Sequence, residues 1–291
     1  MTDIRWVVAA TDFSQDAVHA GTRAALVAAE RGTALDLLHV VEPDSAMALR
    51  DWLAVNRDLR SLIEQQLAMQ LAAQARQLAA AHGVQVRELL RFGAILKEAP
   101  LAAADAGLLV VGARGTHTLR RLTFGTTAER LMRTTATPLL VVRQEPAGPY
   151  RRVLVLTDFS PASQAALHAA LAVAPGAAIH LMHVFDLPFH GKLRLAGVRE
   201  EEIDAYRQQA LADATRLLQD SLPGPEAHRL HNSVLFGDVR TEALRVAAEM
   251  GADLLAVGKQ GSSMLGDMFL GSTTSCMIGN APCDVLGVSG G

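Results

Sequence analysis

The chain has 291 residues, of which 50% are hydrophobic, 20% charged and only 4% aromatic, and its formal net charge is −3. That length allows two domains of ordinary size with aliphatic cores. The near balance of charge, +1 for residues 1–145 and −4 for 146–291, excludes the lysine and arginine excess of a nucleic-acid binder.

No apolar run approaches the roughly 18 residues of a membrane span, and the opening stretch meets Asp12 before a signal-peptide core could form. The two cysteines, Cys276 and Cys283, are too few and wrongly spaced for a CxxC motif, and both read as small buried hydrophobes. A cytoplasmic protein without disulfides is expected.

In chain order, short apolar runs suited to strands buried on both faces fall at 4–10, 34–41, 84–90, 107–111 and 138–142. The first ends in Thr-Asp12-Phe-Ser, where Ser14 is placed to cap a helix. Leu59, Ile63, Leu67 and Leu71 then recur at helical spacing, a stripe that covers a sheet. Gly93 follows the third strand. After the fourth comes Gly112-Ala-Arg-Gly115, nine residues, then Gly125-Thr126. Gln144-Glu-Pro-Ala-Gly-Pro149 can hold neither a helix nor a central strand, so domains are expected at 1–145 and 150–291.

The same order then repeats. Strands are expected at 152–157, 178–185, 229–235, 253–257 and 284–288. Thr-Asp158-Phe-Ser closes the first, with Ser160 as cap and Pro161 at the first helical position. The second long helix carries Ile203, Tyr206, Ala210, Ala214 and Leu217 at helical spacing. Gly237 answers Gly93, and Gly258-Lys-Gln-Gly261, nine residues, Gly271-Ser272 answers the first glycine run. Matched landmarks keep an offset of 144–146 residues, so the chain is two copies of one α/β fold.

Glycines at this spacing let backbone N–H groups approach a phosphate, and the closing Gly-[Ser/Thr] stands where a helix begins, an end that favours anions. Ligands of doubly wound sheets bind outside the carboxyl ends of the strands, where Asp12 and Asp158 also lie. No G-x-x-x-x-G-K-[ST] and no strand-linked G-x-G-x-x-G occurs. The two loops differ in charge: Arg114, Arg120 and Arg121 stand in the first, and Lys259 offset by Asp267 in the second. Leu156 replaces Ala10 beside the aspartate and is expected to narrow the second site. His39 and His183, at strand ends, are expected to be hydrogen-bonded rather than ligands or bases.

Thr-Asp-Phe-Ser after strand one, Leu-His-Val in strand two, a glycine after strand three and G-x-x-G-x(9)-G-[S/T] after strand four resemble the universal stress protein family, in both halves. The resemblance implies two doubly wound parallel five-stranded sheets of strand order 3-2-1-4-5, with ATP, accompanied by Mg2+, across the carboxyl edge. It implies that Asp12 lies near the ribose or a metal and that Val40 presents backbone groups to adenine. Gly112, Gly115, Gly125, Thr126 and Thr127 would hold ribose and phosphates, with Arg114 beside them. Asp158, Val184, Gly258, Gly261, Gly271, Ser272 and Thr273 are the counterparts.

Three functions stay open: an ATP-binding stress or regulatory protein, a weak ATPase or phosphotransferase, and a nucleotide-free scaffold. No Ser-His-Asp arrangement, H-E-x-x-H or positioned base marks an efficient enzyme, so the first is preferred. The expected partners are adenine nucleotide, a second copy in a homodimer and an unidentified protein, with neither nucleic acid nor membrane. The two fifth strands, apolar and at sheet edges, are expected to pair about a pseudo-twofold axis within the chain or between chains.

Overall fold

The computed structural model describes residues 3–42, 57–115, 126–186, 199–220, 229–260 and 270–290. In the first half β1 (Trp6–Ala10), α1 (Gln15–Arg31), β2 (Ala34–Val41), α2 (Arg57–His82), β3 (Val86–Phe92), α3 (Ile95–Ala103), β4 (Gly107–Gly112), α4 (Thr126–Thr134) and β5 (Leu139–Val142) alternate strand with helix. The second half repeats them as β6 (Arg152–Leu156), α5 (Pro161–Val173), β7 (Ala178–Phe185), α6 (Glu200–Asp220), β8 (Leu230–Phe236), α7 (Val239–Glu249), β9 (Leu254–Gly258), α8 (Ser272–Asn280) and β10 (Asp284–Val288).

Each half orders its strands 3-2-1-4-5, and β5 pairs antiparallel with β10, Leu140 opposite Leu286. All other strand pairs given are parallel, so the result is one ten-stranded sheet, β3-β2-β1-β4-β5-β10-β9-β6-β7-β8. The sequence left open whether the fifth strands meet within or between chains; they meet within. A homodimer would therefore have to use another surface.

Alternate strand residues feed two cores that each run through both halves. Val7, Leu35, Leu108 and Leu140 pack on the face covered by α1, α2, α5 and α6, whereas Val8, Leu38, Leu109 and Leu139 pack on the face of α3, α4, α7 and α8. Aliphatic and alanine side chains fill both, as the low aromatic content requires. Gly287 of β10 leaves room for Met132 of α4, whose Sδ would collide with a β-carbon there. The helix stripes are less regular than their sequence spacing. Leu71 and Ala214 are buried as the spacing implies, but Tyr206 and Leu217 are exposed, and Leu218 rather than Leu217 turns inward from α6.

A buried polar cluster joins the halves where the linker passes. Asp284 of β10 accepts from the Tyr150 hydroxyl at 2.6 Å and from the backbone N–H of Arg143 at 2.8 Å and of Gln144 at 3.3 Å. Arg23 of α1 lies 3.4 Å from Asp284 through Nε, an ionic rather than a hydrogen-bonded approach, while its Nη1 donates to the Gly148 carbonyl at 2.7 Å. Its guanidinium covers the Tyr150 ring, 3.8 Å from the centroid. Burial pushes both the Asp284 carboxyl and the Tyr150 hydroxyl above their ordinary ranges.

Candidate functional site

The carboxyl ends of β1 and β4 bring the aspartate turn and the glycine loop together. Thr11 Oγ1 accepts from the Phe13 N–H and Asp12 Oδ1 from the Ser14 N–H, each at 3.1 Å. Ser14 in turn caps α1, accepting from Ala17 N–H at 3.3 Å. This tight turn sets Phe13 at φ 63°, and Phe159 is set identically in the second half. A left-handed phenylalanine is strained by about 1–3 kcal/mol. Sequence reading missed it, because nothing in Asp-Phe-Ser demands a positive φ.

Phe13 packs on His39, with ring centroids 4.6 Å apart, and Phe159 packs likewise on His183. The histidine Nδ1 atoms approach the carbonyls of Thr11 and Thr157 at 2.7 and 2.8 Å. A carbonyl only accepts, so each Nδ1 carries the hydrogen. The strand-end histidines thus hold the aspartate turns in shape.

Of the first glycine run, Gly112 and Gly115 have separate roles. A β-carbon on Gly112 would lie 2.7 Å from the carbonyl carbon of Asp16, and one on Gly258 would lie 2.9 Å from that of Ala162. Both glycines therefore let the strand end press against the first turn of the helix that follows the first strand of each half, α1 and α5, a packing role independent of any ligand. Gly112→Ala and Gly258→Ala should each lower stability by about 1–3 kcal/mol, the usual cost of overpacking, read from urea unfolding; an unchanged midpoint would contradict the close approach.

Gly115 is exposed and faces the aspartate: a β-carbon there would stand 2.8 Å from Asp12 Oδ2. Asp12 and Gly115 thus converge, as the sequence placed them. Val40 and Val184 are half-buried on their strands, and Thr127 is exposed in the first turn of α4, which Thr126 opens. Gly125, Gly261, Arg120, Arg121 and Asp267 lie outside the described residues. In the second half Gly271 is the N-cap of α8 with no side-chain hydrogen bond, followed by Ser272 and Thr273. The base of that loop is closed by Gly271 N–H donating to the Lys259 carbonyl at 2.9 Å and by Thr274 Oγ1 donating to the Gly258 carbonyl at 2.7 Å. Asp158 Oδ1 accepts from Ser160 N–H at 3.1 Å. Leu156 is buried in the core, where its counterpart Ala10 is only half-buried.

The loop charges are placed differently from the expectation. Arg114 pairs with Asp16 of α1 at 3.0 Å, and its side chain stays 43% exposed. Lys259 is not on the ligand side of its loop: it is 4% exposed, with Nζ 2.6 Å from the Thr135 carbonyl and 3.3 Å from that of Thr137. These carbonyls follow α4 of the other half, so the lysine caps that helix across the junction. Arg143 does the reverse, donating to the Ile278 and Gly279 carbonyls at the end of α8. Lys259, read in the sequence only as a loop charge offset by Asp267, is held in the interface by these two carbonyls. A half-exposed ion pair such as Arg114–Asp16 contributes about 0–1 kcal/mol, whereas hydrogen bonds to a charged group contribute about 1.5–3 kcal/mol. The only sequence trace of this difference is the mismatch of Lys259 with Ala113.

Among the described residues no cluster of three or more His, Cys, Asp or Glu could hold a metal ion, and no helix is long and apolar enough to cross a membrane.

Comparison with known proteins agrees with this duplicated architecture. The family model for the universal stress protein family matches residues 4–143 and again 149–289. A universal stress protein A homolog of Coxiella burnetii is 28% identical over 142 residues, 48% of this chain and 96% of that protein. A universal stress protein of Mycolicibacterium smegmatis is 26% identical over 208 residues, 70% of this chain and 69% of that one. In fold, the crystal structure of a universal stress protein from Archaeoglobus fulgidus matches 99% of this chain and 100% of its own length, with a TM-score of 0.68 at 19% identity. Matched twice by one family and built twice on one plan, the chain belongs to the universal stress protein family as a tandem pair of its domains.

Proposed function

We propose that the chain is an ATP-binding regulatory protein, with nucleotide held at the carboxyl edge of the sheet and read out through conformation or partner choice. The observation that carries this is the convergence of Asp12 with the exposed Gly115 at the carboxyl ends of β1 and β4, where ligands of doubly wound sheets bind. Adenine would lie by Val40, ribose by Asp12, and phosphates against Gly112–Gly115 and Thr126–Thr127. Mg2+ fits as a companion of the nucleotide rather than a resident ion. It needs one or two carboxylates plus phosphate oxygens, and Asp12 supplies one.

The first half is the tighter site in this reading, because Arg114 is recruitable and Ala10 leaves room where Leu156 fills it. One engaged arginine adds about 1.5–3 kcal/mol, roughly tenfold or more in affinity.

Calorimetric titration with ATP and Mg2+ tests the assignment. Gly115→Val should weaken the tighter binding by about tenfold or more, because the new side chain meets Asp12 in the crevice, and Gly261→Val should leave it intact. Residue 115 is exposed, so the fold should persist, which circular dichroism checks. The reverse pattern would overturn the ranking, and full ATP affinity in both variants would overturn the site.

A further inference from the structure

The two copies use one pair of positions on their outer strands for different chemistry. Asp36 of β2 and Arg87 of β3 are in register on neighbouring strands, and Arg87 Nε donates to Asp36 Oδ1. At an offset of 144 residues their counterparts are His180 of β7 and His231 of β8, again in register. The first copy shows that side chains at these positions meet across the strands. In the second copy two imidazoles stand there, on the face of the sheet that Met182 and Leu235 share. They form no ion pair, so β8, which ends the strand order with β7 as its one described neighbour, lacks the clasp that β3 has.

His180 is half-buried, and its ring is oriented by Ser233 of β8, whose Oγ lies 2.7 Å from Nε2. That contact leaves Nδ1 as the nitrogen open to another partner. His231 is exposed and has no side-chain hydrogen bond among the described residues. A polar group on one ring nitrogen is what orients a histidine that binds metal through the other. Burial and the neighbouring His231 push the His180 imidazole below its ordinary range, which keeps it an uncharged ring with a lone pair at neutral pH.

We propose that His180 and His231 together bind one divalent transition-metal ion of the Zn2+, Ni2+ and Cu2+ class, which clasps the edge strand β8 to β7. Neighbouring strands stand about 4.8 Å apart, and an imidazole nitrogen approaches such an ion to about 2.1 Å, so one ion fits between rings in register. Imidazole favours these ions over Mg2+ and Ca2+, which take oxygen ligands. With two protein ligands, the remaining coordination positions go to water. Both histidines stand near the amino ends of their strands, so this site is separate from the crevice at the carboxyl edge and independent of the nucleotide reading.

Calorimetric titration of the full chain with ZnCl2, and with MgCl2 for contrast, tests this. The decisive variant combines His180→Asp with His231→Arg, installing the pair that the first copy already accommodates, so the fold should persist, which circular dichroism checks. It should bind one Zn2+ fewer than the wild type, and Zn2+ should raise the thermal midpoint of the wild type by more than that of the variant. His231→Gln, a change at an exposed position, should remove the same binding step, and Ser233→Ala should weaken it about tenfold. Equal Zn2+ stoichiometry and affinity in the wild type and the double variant would overturn the inference, as would a step that Mg2+ reproduces or that survives His231→Gln. Full Zn2+ affinity in Ser233→Ala would overturn the orienting part given to that hydroxyl.

Discussion

Replacing Asp284 with alanine should destabilise the chain by about 3–5 kcal/mol, the range for breaking a buried ion pair by removing one partner. The carboxylate is 1% exposed and collects the Tyr150 hydroxyl, two backbone N–H groups of the linker and the charge of Arg23, itself 5% exposed. Alanine would leave the guanidinium in the core with the Gly148 carbonyl, the Tyr150 ring and the more distant charge of Glu30 in place of its buried carboxylate. The groups come from α1, the linker and β10, so the loss should appear as weaker adhesion of the two halves. Arg23→Met combined with Asp284→Val should recover part of it, since neither charge is then buried alone. Urea unfolding of the single and double variants measures both effects. A loss below about 1 kcal/mol, within the range of an exposed pair, would show that the cluster does not hold the junction.

Lys259 should give the chain an unusual alkaline stabilisation. Burial lowers its amine from 10.5 to about 7 in the folded protein. Between these values the unfolded chain binds the proton and the folded chain does not, so stability rises with pH by about 1.4 kcal/mol per unit. Below about pH 7 both states are protonated and the dependence disappears. A neutral amine still donates two N–H groups, enough for the carbonyls of Thr135 and Thr137, so the cap survives deprotonation. Lys259→Met removes this titration but leaves those carbonyls uncapped. The wild-type minus variant difference should therefore climb between pH 7 and pH 10 in urea unfolding, and parallel pH profiles would contradict a lysine buried in this way.

Much of the architecture was legible because it rests on local chemistry repeated twice. All ten strands lie within two residues of the bounds their apolar runs imply. Ser14 and Ser160 cap the helices their positions suggested, since an N-cap needs only the next three residues. The meeting of β5 with β10 followed from apolar edges. What could not be read depends on contacts far apart in sequence. Lys259 reaches carbonyls more than 120 positions earlier, and Asp284 reaches Tyr150 across 134. The glycines show the same limit. Their spacing suggested phosphate, yet Gly112 and Gly258 are required by helix backbone pressed against the strand ends, leaving Gly115 as the glycine that faces the aspartate.

The central claim, that these universal stress protein domains bind adenine nucleotide, is most directly tested by equilibrium dialysis of the wild-type chain against radiolabelled ATP and Mg2+. Saturable retention is expected, displaced by unlabelled ATP. At a hundredfold excess over Kd, a ligand specific to the folded state stabilises it by about 2.7 kcal/mol, so the retained nucleotide should also raise the thermal midpoint. No retention at millimolar ATP, with the chain folded, would contradict the claim.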